Sequence, residues 1–573
     1  MKKVVVEFKD YSFKYRAQTE PTLSGINLKI YEGEKVLIAG PSGSGKSTLA
    51  NCINGLVPFS YAGTAEGSLL IMGQEPQNLG IFGLSKLAGT VLQDTDSQFV
   101  GLTVGEDIAF ALENDCVPSW EMHKKVESAA KMVDIHAHLS HSPQTLSGGQ
   151  KQRVSLAGVL VDEVGILLFD EPLANLDPAT GKYAMELIDR IHGETGNTVI
   201  IIEHRLEDVL HCPIDRIIVM DGGRIVADAS PAGLLASDIL KTAGIREPLY
   251  ITALKYAGCV MDPSIQPESI HTIKLTDLEQ NLENWYQTTL PDYIAPLSSP
   301  LLELQHIRFG YQETKAVLSN ISFSVQKGEL VSVVGRNGAG KSTLSKLICG
   351  FEKPDSGKIL IDGRDIEKDS IAERALRIGM VMQNPNHMIS KPMLFDEVAL
   401  GLVSRGWGRE EIRVRVEKAL KTCGLYPFRN WPISALSFGQ KKRATIASIL
   451  VLEPRIIILD EPTAGQDFRH YTEFMEFLLQ LNRENGTTIL MISHDMHLIL
   501  EYTTRTIVMS EGRIIADDLP SAVLTNDEII EKARLKRTSL YDLAVRSGIN
   551  DSQAFVQHFI DFDRRVREHC LEC

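Results

Sequence analysis

No stretch of this sequence stays apolar for long. A bilayer-spanning helix needs about 20 consecutive apolar residues. The apolar runs here, such as Val164 to Phe169 and Arg455 to Leu459, are far shorter and end at acids. The chain is therefore not expected to cross a membrane. The opening MKKVVVEFKDYSFKY carries two lysines but only three apolar residues before a charge, too few for a secretory leader, so a cytoplasmic protein is expected. Positive charge is also in deficit: 59 Lys and Arg against 74 Asp and Glu leave a net −15. A surface of that sign repels nucleic-acid backbones, and no nucleic-acid partner is expected. Cysteine is sparse. Cys52, Cys116, Cys212, Cys259, Cys349, Cys423, Cys570 and Cys573 form no disulfide framework and read as thiols. Only His569, Cys570 and Cys573 have a metal-like spacing, and no second pair lies near them in sequence.

What the sequence does have is length and repetition. Its 573 residues, 43% hydrophobic, are enough for several cores of about 100 to 200 residues each. GPSGSGKST at Gly40 to Thr48 recurs as GRNGAGKST at Gly335 to Thr343, and LSGGQ at Leu146 to Gln150 recurs as LSFGQ at Leu436 to Gln440. LLFDEP ending at Pro172 returns as IILDEP ending at Pro462. Two copies of one unit are fused in tandem. The repeat extends to Arg246-Glu-Pro-Leu-Tyr and Arg537-Thr-Ser-Leu-Tyr, so each copy carries a carboxy-terminal helical appendage. Met261 to Ser299, proline-containing and acidic with no clear long amphipathic period, reads as a linker. The expected boundaries are 1–245 and 300–535 for the two main domains, 246–299 for appendage and linker, and 536–573 for the second appendage. Within each copy, buried strands such as Lys35 to Ala39, Val164 to Phe169 and Thr198 to Ile202 alternate with helical periods, which predicts a mostly parallel sheet covered on both faces.

The chemistry sits at the ends of those strands. Gly-x-x-x-x-Gly-Lys-Ser after an apolar strand and at a helix start lets backbone N–H groups converge on phosphate oxygens. The two loops are Gly40, Pro41, Ser42, Gly43, Ser44, Gly45, Lys46, Ser47 and Thr48, and Gly335, Arg336, Asn337, Gly338, Ala339, Gly340, Lys341, Ser342 and Thr343. Lys46 and Lys341 are placed to reach β- and γ-phosphates, and Ser47 and Ser342 to hold Mg²⁺. Asp170-Glu171 and Asp460-Glu461 end apolar strands, where ligands of open α/β sheets bind. The first acid of each pair suits Mg²⁺ and the second suits an attacking water. Ser147, Gly148, Gly149 and Gln150 open a helix, as do Ser437, Gly439 and Gln440. Such a helix start either attracts an anion or is an ordinary serine cap.

In this order and duplication the motifs resemble an ATP-binding-cassette (ABC) ATPase with two nucleotide-binding domains, over nearly the whole chain. The resemblance implies an α/β fold of two tandem P-loop NTPase domains. Each has a RecA-like core, an antiparallel β subdomain, a helical signature subdomain and the appendage. It implies ATP and Mg²⁺ as ligands. It makes Tyr15 and Tyr311 stacking partners for adenine, Gln93 and Gln383 contacts to Mg²⁺ and water, and His204 and His494 partners of the γ-phosphate, with Asp177 and Asp467 completing the set. It further implies two composite sites. One takes Lys46, Gln93, Glu171 and His204 with Ser437, Gly439 and Gln440; the other takes Lys341, Gln383, Glu461 and His494 with Ser147, Gly148, Gly149 and Gln150. Phe438 departs from the pattern, standing where the first copy has Gly148, and two sites of unequal rate are expected.

The segments Val91 to Asn114 and Val381 to Leu402, with the REPLY-type appendages, resemble the ATPases of energy-coupling-factor (ECF) importers, and the fused arrangement is similar to the duplicated ATPase linked with thiamine-precursor uptake. That likeness implies an integral membrane coupling subunit, a membrane substrate-binding subunit, a peripheral place on the cytoplasmic face of the membrane, and vitamin or transition-metal ion uptake. A soluble tandem ATPase acting on ribosomes is the alternative from another class. It is disfavoured by an acidic linker broken at Pro263, Pro267 and Pro291 and by the lack of a cysteine cluster. Lys441-Lys442-Arg443 reads as a solvated or packed helix face rather than an RNA contact. A fused sugar-importer ATPase is a third reading, disfavoured by the appended helices. The run Ala554 to Arg567 reads as a packing face of the second appendage, with a regulatory site as the alternative.

Overall fold

A computed structural model describes residues 2–16, 18–92, 98–174, 176–288, 300–312, 316–463 and 466–572, without the side chains of 438 and 568–572. It divides into a unit built on Met1–Trp285 and one built on Tyr286–Gln466 with His470–Cys573.

The strands of the first unit are β1 (Val4–Tyr15), β2 (Leu23–Tyr31), β3 (Lys35–Ala39), β4 (Gly63–Ile71), β5 (Ala88–Val91), β6 (Ile166–Asp170), β7 (Thr198–Ile202), β8 (Arg216–Asp221) and β9 (Arg224–Ala229). KVLIA in β3 and TVIII in β7 are buried at every position, and ILLFD in β6 at all but its final acid. Runs without alternation belong in a sheet covered on both faces, and these form the centre of a six-stranded sheet ordered β5-β6-β7-β3-β8-β9. All its pairings are parallel except the edge hairpin β8–β9. A separate antiparallel sheet, β2-β1-β4, alternates buried and exposed residues along β2 and shares one core with the main sheet. The helices Val104–Asn114, Ser119–Met132 and Gly148–Leu160 form a helical subdomain.

The second unit repeats this plan. Its strands are β10 (Pro300–Phe309), β11 (Leu318–Gln326), β12 (Leu330–Val334), β13 (Ser356–Ile361), β14 (Arg364–Asp365), β15 (Ile378–Val381), β16 (Ile456–Asp460), β17 (Thr488–Ile492), β18 (Arg505–Ser510) and β19 (Arg513–Asp518). They make sheets ordered β15-β16-β17-β12-β18-β19 and β11-β10-β13-β14. The expected fold class is the observed one.

Register brings the functional loops together. Ile202 at the end of β7 pairs with both Asp170 of β6 and Ile38 of β3, so three strands end at one level. Ile492 does the same with Asp460 and Val333. The phosphate loop, the acidic pair and the histidine leave the same carboxyl edge side by side.

Where it is described, the segment expected to link the copies is folded. Leu275, Leu278, Leu282 and Trp285 are buried, and Glu279–Tyr286 is a helix. Their 3-4-3 spacing is a short helical stripe, hidden among the surrounding acids and prolines. Tyr250 in the appendage helix Leu249–Tyr256 donates to Pro267 O at 2.6 Å, holding this segment to the first unit. Residues 289–299 lie outside the described residues. In the second unit the run Ala554 to Arg567 falls within the helix Ser552–Glu572 and buries Phe555, Val556, Phe559 and Ile560, the packing face its spacing predicts.

Candidate functional site

Each phosphate loop starts where nothing but glycine fits. A Cβ on Gly40 would lie 2.2 Å from Met220 O, and one on Gly335 would lie 2.0 Å from Met509 O. The loops then wrap around a lysine. Lys46 Nζ donates to Gly40 O at 2.7 Å and Pro41 O at 2.9 Å; Lys341 Nζ donates to Gly335 O at 2.7 Å and Arg336 O at 3.1 Å. Burial pushes the Lys46 ammonium below its ordinary value, opposed by nearby carboxylates led by Glu171.

The helices Lys46–Ile53 and Lys341–Cys349 follow left-handed Gly45 and Gly340, with no side-chain cap and no acid in the first turn. A helix start left without a side-chain acceptor is suited to an anion. Ser44 Oγ is buried with no hydrogen-bond partner among the described residues, and Ser47 and Ser342 are exposed. These features fit a polyphosphate with its cation. Beside the loops, Tyr15 OH lies 3.0 Å from Thr48 Oγ1 and Tyr311 OH 3.5 Å from Thr343 Oγ1. Tyr311 is exposed, while Tyr15 is half-buried against Phe13 and Tyr61.

The acids lie at the adjoining strand ends. Burial raises the carboxyls of Asp170, Glu171 and Asp460 above the usual range. His204 opposes the rise at Glu171, while Ser342, hydrogen-bonded to Asp460, opposes it there. Glu171 and Glu461 adopt the left-handed region at φ 50° and 48°. Non-glycine residues rarely occupy it unless surrounding structure enforces it. His204 Nδ1 lies 3.9 Å from Glu171 Oε1, and His494 Nδ1 2.8 Å from Glu461 Oε1. Around each loop the fold therefore gathers lysine, serine, two acids and histidine. Gln93 lies outside the described residues, and Gln383 is exposed.

The two signature segments are capped helix starts. Ser147 Oγ accepts the Gln150 N–H and Gln150 Oε1 accepts the Ser147 N–H, with the same reciprocal box at Ser437 and Gln440. Gly149 packs tightly, since a Cβ there would lie 2.5 Å from Thr180 Cγ2. Thr180 in turn hydrogen-bonds Asp177, the N-cap of the next helix. The Phe438 side chain is outside the described set, as are those of His569, Cys570 and Cys573. Among the described residues no cluster of three or more His, Cys, Asp or Glu could hold a metal ion, and no helix is long and apolar enough to cross a membrane.

The family model described as ABC transporter matches residues 23–174 and 318–464, spanning both phosphate loops and both acidic pairs. The chain belongs to the ABC transporter ATP-binding proteins. This ABC ATPase also matches, at 237–309, a family described as ATP-binding cassette cobalt transporter. It is 59% identical over 99% of its length to the whole of a putative ABC transporter ATP-binding protein of Clostridium perfringens. It is 56% identical over 99% of its length to the whole of another from Enterococcus faecalis. Among solved structures, cbiO1 from Clostridium perfringens, described as part of the ABC transporter complex cbiONQ, is 36% identical. That alignment covers 41% of this chain and 94% of that one, with a TM-score of 0.38.

As a member of this family the protein binds and hydrolyses ATP. Two charged residues near its sites are buried; Glu203 is not singled out in the sequence, and Lys442 lies on the helix face read there as solvated or packed. Glu203, between β7 and His204, is 1% exposed, and Lys442 in the second signature helix is also 1% exposed. Charged residues buried to that degree are rare unless partnered. Nothing in a local pattern of charged residues announces such burial.

Proposed function

We propose that this ABC ATPase energises an importer of the ECF type, taking up a vitamin, a thiamine precursor or a transition-metal ion. The observation that carries this reading is the match of residues 237–309, which include most of the folded appendage of the first unit, to a family described as ATP-binding cassette cobalt transporter. ATP binds at two composite sites. In the first, Lys46 and the N–H groups of Gly43 to Thr48 hold the phosphates and Tyr15 the adenine; Ser437, Gly439 and Gln440 close the site from the other half. The second takes Lys341, the loop Gly338 to Thr343 and Tyr311, with Ser147, Gly148, Gly149 and Gln150. Ser47, Asp170 and Gln93, and their counterparts Ser342, Asp460 and Gln383, are the residues that would hold Mg²⁺. That ion neutralises charge developing on the transferred phosphoryl group. Glu171 and Glu461 orient and polarise the attacking water, and burial that raises the Glu171 carboxyl suits it to accept a proton. His204 and His494 hydrogen-bond the γ-phosphate.

ATP binding closes the halves and hydrolysis reopens them. That motion is passed, through surfaces near Gln93 and Gln383, to an integral membrane coupling subunit that works with a membrane substrate-binding subunit. The ATPase itself is peripheral on the cytoplasmic face. The test is purification of the affinity-tagged protein from native membranes. Two integral membrane proteins should accompany it in stoichiometric amounts, and vesicles containing the assembly should accumulate ⁵⁷Co²⁺, thiamine precursor or a vitamin when ATP is supplied on the ATPase side. Recovery without any integral membrane subunit would overturn the proposal.

A further inference from the structure

The two halves place their histidines differently, and a buried carboxylate, Glu203, precedes the histidine of the first where buried Ser493 precedes that of the second. Glu203 follows β7 directly and its side chain is sealed from solvent. Its Oε2 accepts the Leu173 N–H at 3.2 Å, in the loop after Glu171. Its Oε1 accepts the N–H groups of His204 at 2.9 Å and Arg205 at 3.2 Å. One carboxylate thus joins the acid-bearing loop to the histidine-bearing loop. The same Oε1 lies 3.3 Å from His204 Nδ1, nearer than Glu171 Oε1 at 3.9 Å.

The corresponding residue of the second half is Ser493, also buried. Its Oγ accepts the Asp495 N–H at 3.0 Å, and His494 Nδ1 stands 2.8 Å from Glu461 Oε1. An imidazole N–H has one direction to point, so a carboxylate at Nδ1 competes directly with the neighbouring acid.

We propose that Glu203 is a positioning residue that turns His204 away from Glu171 and makes the first half the slower ATPase. The inference rests on the reading that Glu171, Glu461 and the two histidines act on ATP. In the second half the histidine and acid touch and are oriented as a pair; in the first the histidine is shared. An orientation difference of this kind acts on the chemical step more than on nucleotide affinity.

The test uses the purified full-length chain with one half silenced at a time. With Glu461→Gln silencing the second acid, Glu203→Ser should raise kcat at least about threefold and leave KM for ATP within about twofold. With Glu171→Gln silencing the first, Ser493→Glu should lower kcat by a similar factor. Glu203→Gln keeps one of the two acceptor oxygens and removes the charge, so it should raise kcat in the same direction if Glu203→Ser does not fold. Unchanged kcat in these variants, with or without a change in melting temperature, would overturn the positioning role and leave the acid assignment standing. Full ATPase activity in the Glu171→Gln, Glu461→Gln double variant would overturn both.

Discussion

Lys442 occupies in the second half the place that Gln152 occupies in the first, and the two side chains do the same job at different electrostatic cost. Gln152 Nε2 donates to Pro172 O at 2.6 Å, and Lys442 Nζ donates to Pro462 O. Each pins its signature helix to the proline that follows the acidic pair. Burial pulls the Lys442 ammonium down to about 8, with Glu461 opposing the fall. The unfolded chain keeps this proton to near the ordinary 10.5. Between these values the unfolded state therefore holds more protons, and stability rises with pH across that window. Below pH 8 the buried charge costs the second unit on the order of 3 kcal/mol. Lys442→Gln should flatten this rise, as checked by urea unfolding of both proteins from pH 7 to 10; parallel curves would refute the assignment. At the phosphate loops, Lys46→Ala should abolish high-affinity nucleotide binding in the first half and Lys341→Ala in the second. Titration with a fluorescent ATP analogue should count one remaining site for each variant.

At the scale of elements, the signature helices depend on their capping boxes. Ser147→Ala removes one acceptor and should cost about 1 kcal/mol of unfolding free energy, measured by denaturant titration. The carboxy-terminal helix depends on its apolar face. Phe559 is 1% exposed, so Phe559→Ala should cost about 3 to 5 kcal/mol. Arg564 and Arg567 tie the same helix to Thr503 O at 2.7 Å and Glu501 O at 2.6 Å, at the end of the helix that starts two residues after His494. The packing face was legible from Phe555, Phe559 and Phe562 because a helical period shows in any 14-residue run. These arginine contacts were not, since their partners lie more than 60 residues away. The folded part of the expected linker was missed for a related reason. Its stripe spans only three turns, and its partner, Tyr250 with the appendage around it, is supplied by tertiary packing.

At the scale of the molecule, the duplicated chemistry makes each half a control for the other. Glu171→Gln and Glu461→Gln, made singly, should reduce steady-state phosphate release unequally, with the larger loss from Glu461→Gln; equal losses would contradict the asymmetry expected from Phe438 and inferred for Glu203. The proposed composite arrangement predicts a crossed effect as well. Ser147→Arg should abolish the turnover that remains in Glu171→Gln, whereas Ser437→Arg should leave that turnover largely intact; the opposite pattern would assign each signature to its own half.

Covalent order was enough to reveal two α/β units and the residue types at their strand ends, because apolar runs bury themselves and a glycine-rich loop before a helix exposes N–H groups whatever surrounds it. It was enough for Lys46, Asp170, Glu171 and His204 to be named and matched to Lys341, Asp460, Glu461 and His494. Folding settled how these groups face one another. The 3.9 Å and 2.8 Å separations of histidine from acid, the sealed carboxylate of Glu203 and the depressed ammonium of Lys442 arise from strand register and desolvation. Those are properties of atoms brought close in space from distant parts of the chain, and no local spacing encodes them.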